Sequence, residues 1–138
     1  MVKGVLISSD KDKLDLAFIH EFLSRESYWA TDRSISDVEK TIANSLCFGV
    51  YHAEGHQIGF ARVITDYVVF AWLMDVFIEP GHRGKGIGAM LMRHIFTLDS
   101  LKEVKGIGLR TEDAHELYNK FVFNEIPKAH TWMYRAKQ

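Results

Sequence analysis

The segment 78–89 carries the residues of this sequence most suited to chemistry, because it places a glycine-rich turn between a predicted strand and a predicted helix. The glycines of this turn are Gly84, Gly86 and Gly88. They let the backbone approach a ligand closely, and the basic residues Arg83 and Lys85 stand among them. The first free N–H groups of a helix, at the positive end of its dipole, suit a phosphate group. The segment therefore predicts a phosphate-binding turn.

The spacing of the glycines and of the residues beside them distinguishes between the known kinds of phosphate-binding site that contain such glycines. A Walker loop requires Ser or Thr after its Gly-Lys pair, whereas Gly86 follows Lys85, which argues against a nucleoside-triphosphate site. The dinucleotide fingerprint G-x-G-x-x-G/A is formally matched by Gly84, Gly86 and Ala89. That fingerprint should open a βαβ unit of a parallel sheet, but the strands predicted before this turn are antiparallel, which disfavours dinucleotide binding.

Periodicity and turn residues predict the elements that must position this turn. Their order is β-α-α-β-β-β-α-β-α-β. The predicted positions are a strand at 3–9, a helix at 12–25, a helix capped by Ser34 or Ser36, an antiparallel meander within 46–79, a helix at 89–98, a strand at 104–110, a helix at 113–120 and a last strand near 130–136.

Two separated motifs resemble those of the GCN5-related N-acetyltransferases (GNAT family). Residues 83–88 match the acetyl-CoA signature Q/R-x-x-G-x-G/A, and residues 114–123 are similar to A-x-x-L-Y-x-K-x-G-F. The predicted order of elements is also that of the family. The resemblance implies an α/β (α+β) fold with a mixed, mostly antiparallel sheet of six to seven strands and about four helices. Val122 stands where glycine is usual, and Thr111 where many members carry asparagine.

The resemblance implies an N-acetyltransferase that transfers an acetyl group from acetyl-CoA, its cosubstrate, to a primary amine through a tetrahedral intermediate. The alternative is a catalytically silent sensor or interaction module that binds acyl-CoA. Pantetheine should pair with the backbone of the strand before the turn, where an amide polarises the thioester carbonyl. The cofactor-binding residues implied are Val76, Phe77, Ile78, Arg83, Gly84, Lys85, Gly86, Ile87, Gly88 and Ala89.

Tyr118 and Asp75 are the catalytic residues that the sequence suggests. Tyr118 matches the tyrosine of the second motif, and its phenol, with an ordinary pKa of about 10, suits protonation of the leaving sulfur. Asp75 lies among apolar neighbours, so burial and a raised pKa would make it a general base. The alternative is a structural aspartate that binds loop amides. Glu79 and His115 are further candidates for proton transfer.

In the resembled family, the first two helices and the loop between them shape the acceptor site. Tyr28, Trp29 and Arg33 lie in that loop, and Trp72 lies on a predicted strand. These residues predict a pocket for a small-molecule or peptide amine with an apolar body and a carboxylate. The alternative is that the aromatic residues anchor the core.

Composition bounds the remaining possibilities. The chain has 138 residues, which predicts a single domain over 1–138, and a net charge of −1, which gives no field to attract nucleic acid or an anionic membrane. Its single cysteine, Cys47, lies in an apolar run and is predicted to be a buried thiol. No metal site is expected. No signal peptide or membrane span is recognisable, so the cytoplasm is the expected location, and dimers are frequent in the resembled family.

Overall fold

The computed structural model describes residues 2–138 and contains one five-stranded mixed sheet. The strands follow each other in space as they do along the chain, and each neighbouring pair is antiparallel except the last, which is parallel. The strands are β1 (Val5–Ser8), β2 (Leu46–His52), β3 (Gln57–Thr65), β4 (Phe70–Ile78) and β5 (Gly106–Gly108). This arrangement confirms the predicted α/β class and the antiparallel meander.

The helices flank this sheet in the predicted order. They are α1 (Leu16–Glu21), which continues into a π-helical turn (Phe22–Glu26), α2 (Ile35–Ala43), α3 (Ile87–Thr97) and α4 (His115–Asn119). Ser34 caps α2, as predicted, by accepting a hydrogen bond from the Asp37 N–H at 3.1 Å. No helix within residues 2–138 combines the length and the apolar composition that crossing a bilayer requires.

One predicted boundary and one predicted element are wrong. The first helix does not begin at residue 12, because Lys11–Lys13 form a separate 3₁₀ turn capped by Asp10, and Asp15 caps α1. The last strand near 130–136 is absent, so the sheet has five strands rather than six or seven. A strand needs a neighbouring backbone to pair with, and β5, the neighbour available at that edge, has only three residues.

The sheet is covered on both faces. Against one face, α3 packs its apolar side chains Leu91 and Ile95 onto buried strand residues such as Val50 and Ile58. Against the other face, α1 and α2 form a second buried cluster, in which the ring of Phe22 stacks on that of Phe77 with centroids 3.9 Å apart. Cys47 is buried as predicted, and burial raises the pKa of its thiol to about 11.

Strands β4 and β5 pair over only a short distance. Their register joins Phe70 to Gly106 and continues to Trp72 and Gly108, where the pairing ends. From residue 73 to the end of β4, that edge of the strand has no partner strand among residues 2–138. The two strands therefore part and leave an opening in the sheet, with β4 backbone along one side.

Candidate active site

A cavity of about 480 Å³ occupies the opening between β4 and β5. One wall comes from β4, one from the segment between β5 and α4, and one from the loop between α1 and α2. Of the residues predicted from the sequence, the cavity is lined by Tyr28, Trp29, Arg33, Trp72, Asp75, Val76 and Tyr118. Residues from three distant parts of the chain thus meet where the sheet opens.

Asp75 lies at the centre of a buried polar network beside this cavity. Its Oδ2 accepts hydrogen bonds from Arg62 Nε at 2.6 Å and Arg33 Nη1 at 2.7 Å, and its Oδ1 accepts one from Trp29 Nε1 at 2.9 Å. The side chain of Asp75 is 1% exposed and that of Arg62 is 5% exposed. Arg62 also donates to the hydroxyl of Ser45 at 3.1 Å. The network therefore fixes Trp29 and Arg33 at the cavity wall.

The predicted raised pKa of Asp75 is wrong. Burial alone raises the pKa of its carboxyl, but the charge and hydrogen bond of Arg62, joined by those of Arg33, outweigh burial and lower the pKa below its ordinary value. A carboxylate held ionised by two guanidinium groups is a weak proton acceptor at neutral pH. The geometry thus favours the structural alternative, although the partners of Asp75 are side chains rather than loop amides.

Asp75 also has an unusual backbone. Phe60 pairs with Phe77 and Arg62 with Met74, so β4 contains one more residue than β3 between these pairs, which makes a β-bulge. At the bulge, Asp75 adopts a φ of +53°. Such a conformation costs energy in a non-glycine residue, and bulges often re-aim backbone groups beside active sites.

Tyr28 connects two walls of the cavity. Its hydroxyl accepts a hydrogen bond from the Glu112 N–H at 3.0 Å, which ties the α1–α2 loop to the segment before α4. Its ring packs edge-on against that of Trp29, with centroids 5.0 Å apart. The two exposed aromatic residues are therefore held in place by specific contacts at the mouth.

The glycine-rich turn leads from the end of β4 into α3. Gly84 and Gly86 have φ values of +77° and +82°, a region in which a side chain is strained. The N–H groups of Ile87, Gly88 and Ala89, the first three of α3, have no hydrogen-bond acceptor within the helix and are available to a ligand. A Cβ on Gly88 would lie 3.8 Å from Leu117 Cδ2, so the start of α3 packs against α4.

The comparisons with known proteins agree with this geometry. A family model described as an acetyltransferase (GNAT) domain matches residues 44–125. The chain belongs to the GNAT family. A crystal structure of a protein described as a GNAT-family acetyltransferase from Xanthomonas campestris pv. campestris is 38% identical, with a TM-score of 0.94 over 99% of this chain and 96% of that one. A Gibberella zeae protein named as an acetyltransferase is 29% identical over 83% of this chain and 76% of its own length.

Part of the chain also resembles a streptothricin acetyltransferase of Streptomyces lavendulae. The two are 44% identical over 57 residues, which cover 38% of this chain and 28% of that enzyme. This protein is accordingly an N-acetyltransferase, and the GNAT family generally takes acetyl-CoA as the acetyl donor.

In this GNAT protein, Tyr118 is the buried tyrosine of the cavity. It lies on α4 and is 8% exposed. Burial, reinforced by Tyr28 and the negative charge of Asp113, raises the pKa of its phenol to about 12. The hydroxyl stays protonated at every pH at which a protein is normally assayed, so it is suited to donate a proton rather than to accept one.

Both departures from the GNAT motif have structural consequences. Val122 adopts a φ of +70°, the left-handed conformation for which glycine is the unstrained residue, and its side chain is 84% exposed. Thr111 uses its hydroxyl to accept a hydrogen bond from the Ala114 N–H at 3.0 Å, which supports the start of α4. Neither residue displaces Tyr118 from the cavity.

Other predicted residues lie outside the cavity lining. The predicted cofactor residues Phe77, Ile78 and 83–89 are not among its lining residues, and the side chain of Phe77 is buried in the core. Arg83 turns back to the strand and donates its Nε–H to the Ile78 carbonyl at 3.0 Å. His115 is exposed at the start of α4 and does not line the cavity.

Sequence reasoning missed Arg62 and two carboxylates. Arg62 can be recognised only in retrospect, as a single charged residue among the buried residues of β3. Glu112 and Asp113 line the cavity, but a pair of acidic residues in a predicted loop carries no signal that distinguishes it from an ordinary exposed turn. Neither of the two forms an ion pair among residues 2–138.

Proposed function

We propose that this chain transfers the acetyl group of acetyl-CoA directly to a primary amine held in the cavity between β4 and β5. The observation that carries the proposal is the parting of these strands beside Tyr118, a cavity-lining residue that is 8% exposed. The opening exposes β4 backbone on one side and a protonated phenol on the other. This combination suits a thioester that must be both activated and cleaved.

The donor side of the site follows the glycine-rich turn. The N–H groups of Ile87, Gly88 and Ala89 would hold the pyrophosphate, and the side chains of Arg83 and Lys85 add positive charge nearby. Pantetheine would extend along the open edge of β4 at residues 76–78. A backbone N–H of Val76 or Phe77, next to the bulge, would donate to the thioester oxygen as negative charge develops there.

The chemical step conserves atoms and protons. The neutral amine attacks the thioester carbonyl carbon, and a C–N bond forms to give a tetrahedral intermediate. Collapse of the intermediate breaks the C–S bond, and Tyr118 gives its proton to the departing sulfur of CoA. The proton released from the nitrogen returns to the phenolate through water. Asp75 takes no proton in this scheme; it positions Trp29 and Arg33.

The acceptor side of the site suits a cationic amine with an apolar body. Tyr28, Trp29 and Trp72 supply aromatic surface, which binds both apolar groups and ammonium ions. Arg33 shares the single Asp75 carboxylate with Arg62, which leaves one positive charge of the three groups uncompensated, so the remaining N–H groups of Arg33 can bind a substrate carboxylate, as the sequence suggested. The unpaired carboxylates in the lining are those of Glu112 and Asp113, and they would attract the positive charge of the acceptor.

The direct test follows the release of free CoA thiol from acetyl-CoA. The panel contains polyamines, aminoglycosides, amino acids and N-terminal peptides, with N-acetylated versions of each as controls that lack the nucleophile. Turnover on at least one class of amine is expected. Saturable acetyl-CoA binding without thiol release on any amine would contradict catalysis and favour a binding module.

The value of kcat/KM is expected to rise with pH and not to fall at any pH below 10. An alkylamine has a pKa of about 10, so its nucleophilic fraction grows about tenfold per pH unit from pH 7 to 9. Tyr118, with a pKa of about 12, remains protonated throughout this range. Log kcat/KM should therefore climb with a slope near one. A fall above pH 8 that disappears in Tyr118→Phe would show that Tyr118 loses its proton much earlier.

Removal of the two unpaired carboxylates is expected to weaken use of the acceptor selectively. Exposed charge contacts contribute about 0.2–1 kcal/mol each, so Glu112→Gln with Asp113→Asn should lower kcat/KM for a dicationic amine by about 2- to 30-fold. The effect should shrink at 0.5 M salt because exposed charges are screened. The matched control is Glu125→Gln with Asp99→Asn, two exposed residues outside the cavity. Equal losses for both pairs would contradict the proposed role.

A further inference from the structure

Three imidazoles meet on the surface at the tip of the β2–β3 hairpin, outside the cavity. His52 and His56 occupy the two ends of the turn, with their rings stacked at a centroid distance of 4.9 Å. His82, from the 3₁₀ turn (Pro80–His82) after β4, lies with its ring centroid 5.8 Å from that of His52 and 6.4 Å from that of His56. Glu54 projects from the same hairpin turn.

We propose that this cluster, His52, Glu54, His56 and His82, is a binding site for a zinc-class divalent transition-metal ion. One ligand atom from each of His52, Glu54 and His56 lies within 4.8 Å of the others. Imidazole nitrogens with a carboxylate are donors that Zn²⁺ prefers. His82 lies outside this group of three, with its ring centroid 5.8 Å from that of His52, and its side chain would have to move closer to bind as a fourth donor. The proposal revises the expectation of no metal site. It is independent of the acetyl-transfer mechanism.

The hairpin holds its two histidines in place. The His52 N–H donates to the His56 carbonyl at 2.9 Å, and the Gly55 N–H donates to the His52 carbonyl at 2.8 Å. Gly55 has a φ of +103°, which lets the chain reverse within this short turn. Because these hydrogen bonds already fix the two attachment points, little backbone freedom is lost when the side chains bind one ion. Preorganisation of this kind favours binding.

The remaining adjustment is small. Zn–N bonds are about 2.0–2.1 Å, so tetrahedral donors stand about 3.4 Å apart, and the donors of His52, Glu54 and His56 must close in by about 1.4 Å at most. His56 and Glu54 are exposed, so rotation of their side chains meets little packing. The Nδ1 of His52 accepts a hydrogen bond of 3.2 Å from the Glu54 N–H. An ion that takes this lone pair leaves the N–H to water, at little cost because the site is exposed.

His82 would connect the ion to the glycine-rich turn. The 3₁₀ turn that carries it is tied to β3, since the Glu79 N–H donates to the Ile58 carbonyl at 2.7 Å. His82 directly precedes Arg83, the first residue of the acetyl-CoA motif. A bound ion would therefore cross-link the hairpin to the backbone that leads into the turn, and this should stabilise the folded chain in proportion to its occupancy.

Calorimetric titration of the full chain, purified without a histidine tag, with ZnCl₂ tests the proposal. We expect one ion per chain, a Kd of about 10 µM or tighter, and a Tm that rises with zinc concentration. The double variant His52→Asn with His56→Asn should bind at least about 100-fold more weakly. His82→Asn should weaken binding by about 10-fold or more. His130→Asn, an exposed histidine outside the cluster, is the matched control and should bind like the wild type.

Each outcome of these titrations either supports or overturns the proposed metal site. No saturable heat up to about 100 µM ZnCl₂, or binding that survives in the double variant, would overturn the site. Wild-type affinity in His82→Asn would remove the fourth donor and with it the link to the glycine-rich turn. MgCl₂ should give no saturable binding, since Mg²⁺ prefers oxygen ligands. Circular dichroism of the metal-free double variant should match the wild type, which excludes misfolding as the cause of lost binding.

Discussion

Replacement of Tyr118 by phenylalanine is expected to lower kcat by about 10²- to 10⁴-fold, the contribution typical of a general acid. The substitution removes one hydroxyl and retains the ring, which packs edge-on against Phe123 with centroids 5.9 Å apart. Fold and acetyl-CoA affinity should therefore change little. Steady-state kinetics of thiol release, together with a calorimetric Kd for acetyl-CoA, measure the two effects separately.

Tyr134→Phe is the matched control for this experiment. Tyr134 is 85% exposed in the C-terminal segment and does not line the cavity, so loss of its hydroxyl should leave kcat within experimental error. An unchanged kcat in Tyr118→Phe would remove the phenol from the mechanism. A loss of acetyl-CoA affinity comparable to the loss of kcat would instead identify Tyr118 as a binding residue.

Asp75→Asn is expected to destabilise the fold by about 3–5 kcal/mol, because it leaves the buried Arg62 guanidinium without its counter-charge. For a chain of this length the loss corresponds to a Tm about 10–20 °C lower. The amide is nearly isosteric with the carboxylate, so lost packing cannot account for such a change. Urea unfolding at pH 7, followed by circular dichroism, gives the free energy directly.

Glu21→Gln provides the control for Asp75→Asn with the same change of functional group. Glu21 pairs with Arg25 on the surface, with side chains 58% and 76% exposed, and such pairs contribute at most about 1 kcal/mol. The paired variant Asp75→Leu with Arg62→Met should recover much of the lost stability, because it removes both buried charges together. A stable Asp75→Asn protein that has lost only kcat would contradict the structural role and restore Asp75 as the general base.

The stabilisation by Asp75 has a defined pH window. Its pKa in the folded protein lies below the ordinary value of 3.8, so the folded state favours the ionised carboxylate. The resulting stabilisation is complete at neutral pH and is lost as the pH falls below about 4 through the folded-state pKa. In the same unfolding series, the free energies of unfolding of the wild type and of Asp75→Asn should therefore converge at acid pH.

Local features of the sequence were sufficient for much of the fold. Runs rich in β-branched and aromatic residues, separated by turn residues, placed β2, β3 and β4, and helical spacing of apolar residues placed α2 and α3. The last strand could not be predicted in the same way. Residues 130–136 have strand-like composition, but whether they pair depends on the three residues of β5, a partner far away in the chain.

The sequence by itself also located the glycine-rich turn and Tyr118. The glycines are needed where Gly84 and Gly86 adopt positive φ, and the family motif marks the tyrosine, so both could be recognised without tertiary contacts. Only the tertiary structure decided whether the carboxyl group of Asp75 is ionised. Its ionisation depends on Arg62 and Arg33, which lie 13 and 42 residues away and reach it through strand pairing and a loop. Charges act through space, so their effect on a pKa follows from the fold rather than from neighbours along the chain.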